Sequence, residues 1–149
     1  MSSLLALPGT EASAATGACP AKGRIASGYG WRTHPATGGK VFHYGVDIAN
    51  TTGTRINAGF SGTVTYAGES GNLGRHVIIN SSGVITIYGH MNSLSVKKNQ
   101  KVRKGRKIGT MGSTGMSSGP HLHLAVKEFS PSPSGGDYVN PTSYFKLPC

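Results

Sequence analysis

Carboxylates are scarce in this chain. Five Asp and Glu stand against fifteen Lys and Arg in 149 residues, a net charge of +10. That imbalance favours a polyanionic partner through long-range attraction, with nucleic acid, teichoic acid and an acidic cell wall all eligible. Aromatic residues make up only 7% and do not interleave with the densest basic run, Lys97, Lys98, Lys101, Arg103, Lys104, Arg106 and Lys107. A stacking platform for single-stranded nucleic acid needs that interleaving, so a dedicated single-strand binder is set aside. The run reads either as a solvated hairpin or as a polyanion patch. No apolar run approaches the roughly 20 residues a helical membrane span requires.

Cysteine is equally sparse. Cys19 and Cys149 lie near the two ends, each beside a proline, and neither has zinc-ligand spacing to the other. One pair gives no framework to read, so a disulfide and two free thiols both fit. A bridge would close a very long loop, for which the chain-entropy model gives about 4 to 5 kcal/mol. The first eighteen residues carry Leu4, Leu5 and the small-residue stretch Ala12-Ser13-Ala14-Ala15 but lack the basic start and full apolar segment of a secretory leader. They are expected to form an extended arm or the remains of a processed leader, with one folded domain over 19–149.

Amphipathic helices of ordinary length are also missing, and only Asn92 to Lys97 offers a helical turn. Glycine is abundant instead: 23 residues, about twice average usage. Short runs rich in β-branched residues lie between glycine-rich turns: Gly62 to Ala67, His76 to Asn80, Val84 to Tyr88, Arg106 to Met111 and His121 to Val126. Asn80-Ser81-Ser82-Gly83 is expected to turn the second run into the third as a hairpin. Ser130 to Gly136 reads as a flexible loop before a closing segment, Tyr138 to Phe145. The class is all-β or β-dominated.

The chain's six histidines give this scaffold its chemistry. Alternate side chains of a strand share a face, so His121 and His123 project together about 7 Å apart while Leu122 and Leu124 point to the core. His43 and Asp47 likewise share a face of an extended segment, and Gly45 between them admits close approach of a backbone or ligand. His90 follows at a strand end. Neutral imidazole and carboxylate suit Zn²⁺, and a catalytic zinc keeps three protein ligands with a fourth position for water. Two further histidines can accept that water's proton, orient it and protonate departing groups. Five residues therefore divide into three ligands and two helpers. His34, before Pro35, is read as an exposed turn residue able to line a cleft, and His76 as a packing residue at a strand start.

Four stretches carry a family resemblance: Gly28-Tyr29-Gly30-Trp31-Arg32-Thr33-His34-Pro35, Phe42-His43-Tyr44-Gly45-Val46-Asp47-Ile48, Tyr88-Gly89-His90-Met91 and Ser118-Gly119-Pro120-His121-Leu122-His123. Over about Gly23 to Phe145 the chain resembles the M23 metallopeptidases, the lysostaphin or LytM-type peptidoglycan endopeptidases. Val102 to Gly109, followed by Gly112-Ser113-Thr114-Gly115, resembles that family's approach to its last motif. The resemblance implies a compact antiparallel β-sheet core with a groove walled by loops. It implies one Zn²⁺ held by His43, Asp47 and His123, with His90 and His121 as the catalytic pair. One departure is visible. Leu124 and Ala125 stand where the family often has Phe and Glu, which removes an outer-shell carboxylate.

The implied reaction is hydrolysis of a peptide bond in a cell-wall stem or cross-bridge. Members resembling lysostaphin cut glycine-glycine bridges and others cut D-alanyl bonds to a diamino acid. The segment Gly30 to Pro35 resembles the second group, with Arg32 as a candidate bidentate contact to an acidic stem-peptide group and His34 and Tyr44 as further substrate contacts. Expected partners are peptidoglycan and anionic wall polymers, with action outside the cell, in the wall or from a phage virion. A bacteriocin would share the chemistry and differ in target. The competing class is a catalytically inactive scaffold or activator, which retention of all five residues argues against. A basic nucleic-acid-binding domain would leave the histidines unused.

Overall fold

The computed structural model of the chain describes residues 16–34, 36–129 and 136–149. Its strands are β1 (Arg24–Ser27), β2 (Gly30–Thr33), β3 (Lys40–His43), β4 (Gly45–Ala49), β5 (Arg55–Asn57), β6 (Gly62–Glu69), β7 (Arg75–Ser81), β8 (Val84–Leu94), β9 (Lys101–Val102), β10 (Lys107–Met111), β11 (His121–Glu128) and β12 (Asp137–Val139). A single 3-10 turn, Pro141–Ser143, is the only helical element among the described residues, capped by the Asn140 side chain. Ten strands form one sheet along the path β1-β4-β11-β8-β7-β6-β9, with β12 on β11 and β10 bridging β8 and β5. β2 and β3 form a separate hairpin. Every pairing is antiparallel. The β-dominated class and antiparallel core expected above are therefore what the chain adopts.

Period-two alternation explains the core. Leu122, Leu124 and Val126 of β11, Val77 and Ile79 of β7 and Val64 of β6 have no accessible surface. Each such side chain contributes about 1.5 to 3 kcal/mol by leaving water. Tyr88 is buried among them, its hydroxyl accepting the Gly59 N–H at 2.8 Å. Burial pushes its phenol pKa up. The β7–β8 connection turns through Ser82 and Gly83, both at positive φ (53° and 95°), which is the geometry a two-residue hairpin favours.

β8 is long because it serves two sets of partners. Val84 to Gly89 pair with β11, and Met91 to Leu94 pair with β10. Between them His90 sits at φ 61°, and the β7 register slips between Arg75 and Val77 opposite the same point. The expected helical turn over Asn92 to Lys97 does not form. Asn92 to Leu94 continue β8 because Ser93 and Leu94 find ladder partners in Thr110 and Gly109, and Ser95 N–H donates to Ile108 C=O at 2.8 Å.

The ends of the domain are tied. Gly17 N–H donates to Tyr144 C=O at 2.7 Å and Ala18 N–H to Gly59 C=O at 2.9 Å. Residues 1–15 of the expected arm and 130–135 of the expected loop lie outside the described residues. Cys19 and Cys149 are joined in a disulfide, Cα to Cα 5.8 Å, across a separation of 130 residues. A loop that long restricts the unfolded chain strongly. Reduction, or the Cys19→Ser/Cys149→Ser double variant, is expected to lower unfolding free energy in denaturant by up to about 5 kcal/mol. An unchanged denaturation midpoint after verified reduction would contradict this account of the bridge.

Candidate metal centre

Strand register builds the site. β4 lies against β11 with Asp47 directly opposite His123, and β11 lies against β8 with His123 opposite Gly89. His121 and His123 share one face of β11 while Leu122 and Leu124 are buried on the other. His43 closes β3, and Tyr44 alone separates it from β4.

The distances converge on one carboxylate oxygen. His43 Nε2 is 3.2 Å from Asp47 Oδ1, His123 Nδ1 is 3.0 Å from it, and His121 Nε2 is 3.8 Å away. One donor atom from each of His43, Asp47 and His123 lies within 4.8 Å of the others. His90 completes the group, its ring 4.7 Å from His121 and 6.1 Å from His123. All five residues singled out from the sequence therefore meet in one place.

Gly45 makes this approach possible. A Cβ there would lie 2.5 Å from Leu124 O and 2.8 Å from His123 Cε1. The β11 backbone and the His123 ring both occupy the space a side chain would need.

Three of the four imidazoles are oriented alike. Nδ1 of His43 meets Gly28 C=O at 2.9 Å, Nδ1 of His90 meets Thr114 C=O at 2.8 Å, and Nδ1 of His121 meets Gly119 C=O at 2.9 Å. A carbonyl only accepts, so Nδ1 carries a proton in each and Nε2 is the nitrogen left for the site. His123 is reversed, with Nδ1 directed at Asp47. The outer-shell carboxylate missing at Ala125, which is itself buried, leaves ring orientation to these backbone carbonyls.

Electrostatics suit a cation. Burial would raise the Asp47 carboxyl, but hydrogen bonds from His123 and His43 outweigh it and hold the group well below the usual carboxylate range. It is ionised. Burial pushes the His90 imidazole down, with His121 and His123 adding to that and the Thr114 carbonyl opposing it. A neutral imidazole beside an ionised carboxylate results. Two imidazole nitrogens and one carboxylate oxygen form a three-ligand set of the kind catalytic zinc uses.

The centre lies in a groove of about 600 Å³ whose walls include Arg32, Thr33, Asn72, Leu73, Met116 and Ser117. Arg32 Nη1 donates to Ser27 Oγ at 2.5 Å, and that oxygen is 3.4 Å from His43 Nδ1. His34 does not line the groove. Its Nδ1 accepts from Ala36 N–H at 3.1 Å within the hairpin turn. Tyr44 is exposed and packs between Phe42 and Tyr138 at 4.8 and 5.1 Å, outside the groove lining. His76 is buried and stacked on Tyr66 at 4.5 Å, a packing residue as its strand position suggests. Sequence reasoning did not find Thr114, Gly28 or Gly119, because they act through carbonyls that every residue possesses. All three lie within stretches that carry the family resemblance, but nothing there marks their carbonyls.

An antiparallel sheet presenting a His-Asp-His donor set beside two imidazoles in a groove defines a metallopeptidase-like class. Residues 41–141 match Peptidase family M23, and the chain belongs to that family. The DD-carboxypeptidase/endopeptidase Mpg of Neisseria meningitidis is 39% identical over 121 residues, 80% of this chain and 26% of the relative. The chain thus spans about a quarter of the length of the curated relative it matches. The catalytic domain of the prophage-encoded M23 protein EnpA from Enterococcus faecalis, solved as a point mutant, superposes with TM-score 0.72 at 35% identity, covering 88% of this chain and 98% of that one. A zinc-containing peptidase from Vibrio cholerae superposes with TM-score 0.67 at 35% identity over 75% of this chain and 35% of its own.

Gly45→Ala tests the register argument without touching a donor atom. The added methyl must displace the β11 backbone or the His123 ring, so zinc affinity in a competition titration is expected to fall at least about 10-fold. Wild-type affinity in this variant would refute the role given to the Gly45 gap.

Proposed function

We propose that this chain is a zinc-dependent endopeptidase that hydrolyses peptide bonds in bacterial peptidoglycan, with the D-alanyl cross-link favoured over the glycyl-glycine bridge. The observation that carries the reading is the convergence of His43, Asp47 and His123 on one point with two further imidazoles beside them in an open groove. Zinc bound by those three residues would supply an activated water and polarise the scissile carbonyl. His43 offers Nε2, Asp47 offers Oδ1 and His123 offers Nδ1, the atoms already closest to one another.

His90 and His121 are the proton-handling pair. Their Nδ1–H groups are committed to Thr114 and Gly119 carbonyls, so each keeps Nε2 free to take a proton from water or give one to the departing amine. Protonated, either would also offer a donor to the oxyanion of the tetrahedral intermediate. His121 is the nearer to Asp47, whose charge favours the imidazolium as it forms.

Arg32 is the residue assigned to substrate on the groove wall. Its guanidinium suits an acidic stem-peptide group, and its contact is with the Ser27 hydroxyl rather than with a carboxylate. Tyr44 would contribute through its exposed ring and His34 by shaping the hairpin that carries Arg32. The relative from Neisseria, named a DD-carboxypeptidase/endopeptidase, supports the D-alanyl preference. Peptidoglycan as substrate requires action outside the cytoplasm. The prophage-encoded neighbour supports a phage lytic or virion setting. The seven basic residues from Lys97 to Lys107 are exposed and suit anionic wall polymers.

Digestion of purified peptidoglycans of both cross-link types, with products identified by mass spectrometry, tests the reading. Wild type is expected to release dimer-derived monomers from the direct cross-link, and His121→Ala or chelated protein to lose at least about 100-fold in rate. Equal solubilisation by all three samples would sink the peptidase assignment.

A further inference from the structure

The segment between β10 and β11 does more than wall the groove. Thr114 makes three contacts to two different strands: its Oγ1 donates to Met91 C=O at 2.8 Å, the same oxygen accepts from Arg75 N–H at 3.0 Å, and its carbonyl accepts from His90 Nδ1 at 2.8 Å. Met91 follows His90 in β8, and Arg75 opens β7 at the register slip opposite it. The hydroxyl therefore pins the β7–β8 bulge on both sides while the carbonyl holds the ring that the bulge projects.

Backbone contacts leave this turn no slack. A Cβ at Gly74 would collide with the Thr114 carbonyl carbon, and one at Gly115 with the Asn72 carbonyl oxygen. Met116 N–H donates to Asn72 C=O at 2.8 Å, and Gly112 N–H donates to His90 C=O at 3.1 Å. His90 itself occupies the left-handed region at φ 61°, which a residue with a Cβ holds only when its surroundings enforce it.

We infer that Thr114 is the positioning residue of the proton-transferring histidine, its hydroxyl fixing the place of its own carbonyl and that carbonyl fixing the His90 tautomer with Nε2 toward the metal ligands. The inference rests on the reading of His90 as a proton carrier. Thr114 touches none of the donor atoms of His43, Asp47 or His123, so it acts on turnover and not on zinc. Its partner groups also explain the residue type. A hydroxyl both donates and accepts, which Met91 C=O and Arg75 N–H together require. Serine meets the requirement; valine, of the same shape, meets neither half and leaves two backbone groups unpartnered.

The test compares zinc-loaded wild type, Thr114→Val and Thr114→Ser on a soluble cross-linked muropeptide dimer, together with zinc stoichiometry and imidazole ¹⁵N NMR. Thr114→Val is expected to keep one zinc per chain and its KM while kcat falls about 10- to 100-fold, and Thr114→Ser to recover most of the loss. Wild type is expected to show His90 as the Nδ1–H tautomer with a hydrogen-bonded proton. Wild-type kcat in Thr114→Val would overturn the inference. So would equal losses in both variants accompanied by zinc loss, which assigns Thr114 to the fold alone. The wild-type spectrum decides the matter if Thr114→Val does not fold, since an Nε2–H tautomer at His90 is incompatible with the proposed contact. A wild type inactive on every peptidoglycan would instead fail the peptidase reading and leave the NMR result standing.

Discussion

A half-buried carboxylate facing three imidazoles is the constraint around which this molecule is arranged. Asp47 loses water on burial, and a carboxylate deprived of water is costly unless other groups hold its charge. Here His43 and His123 lie within 3.2 Å of its Oδ1, so the charge is held by groups of the kind that also coordinate metals. Acid scarcity sharpens the arrangement. Of the other carboxylates described, Glu69 pairs with Arg75, Glu128 meets the Tyr144 hydroxyl and Asp137 opens β12, all outside the groove lining. Asp47 is thus the groove's only acid among the described residues, and a cation entering it meets one centre of negative charge.

Much of this was legible from spacing. His121-Leu122-His123-Leu124 alternates between site and core as a half-buried strand must, and the register with β4 brings Asp47 opposite His123. The role expected of Gly45 also follows from its missing side chain. His90 was legible as a residue but not as a geometry, since nothing in Tyr88-Gly89-His90-Met91 states that the strand bends there. The bend comes from β8 exchanging β11 for β10, a tertiary event. Local propensity misled over Asn92 to Lys97 for the same reason: available ladder partners override a weak helical preference. The roles of the backbone acceptors Gly28, Thr114 and Gly119 were not legible, because a carbonyl leaves no mark on residue identity.

Charge and chemistry occupy different parts of the sheet. The site is carried by β4, β11 and β8, whereas Lys101 lies on β9, three strand positions beyond β8 on the sheet path. At the usual spacing that is roughly 14 Å, more than the Debye length of about 8 Å at physiological salt. Lys101 therefore contributes little to the potential at Asp47. No carboxylate occurs between Glu69 and Glu128, so the basic segment has no acidic neighbour in sequence to neutralise it. Lysine on the edge strand β9 has a second effect, since charge on a sheet edge opposes pairing with another chain.

Strain at His90 shows how the fold and the site are made of the same contacts. Holding a non-glycine residue in the left-handed region costs on the order of 1 to 3 kcal/mol, and glycine there would relieve it. Glycine would also remove the imidazole. The strain is offset by fixed hydrogen bonds on the backbone and ring of the residue: His90 N–H to Leu73 C=O at 2.8 Å, His90 C=O from Gly112 N–H at 3.1 Å and the ring Nδ1 to Thr114 C=O at 2.8 Å. Two of those partners belong to the turn that walls the groove and the third to the loop before β7. A bend that lets β8 change partners thereby becomes the means of aiming a side chain, and the groove wall becomes its support. Loosening the wall would free the ring, so on the proposed reading of His90 rigidity there is a condition of the chemistry rather than a by-product of packing.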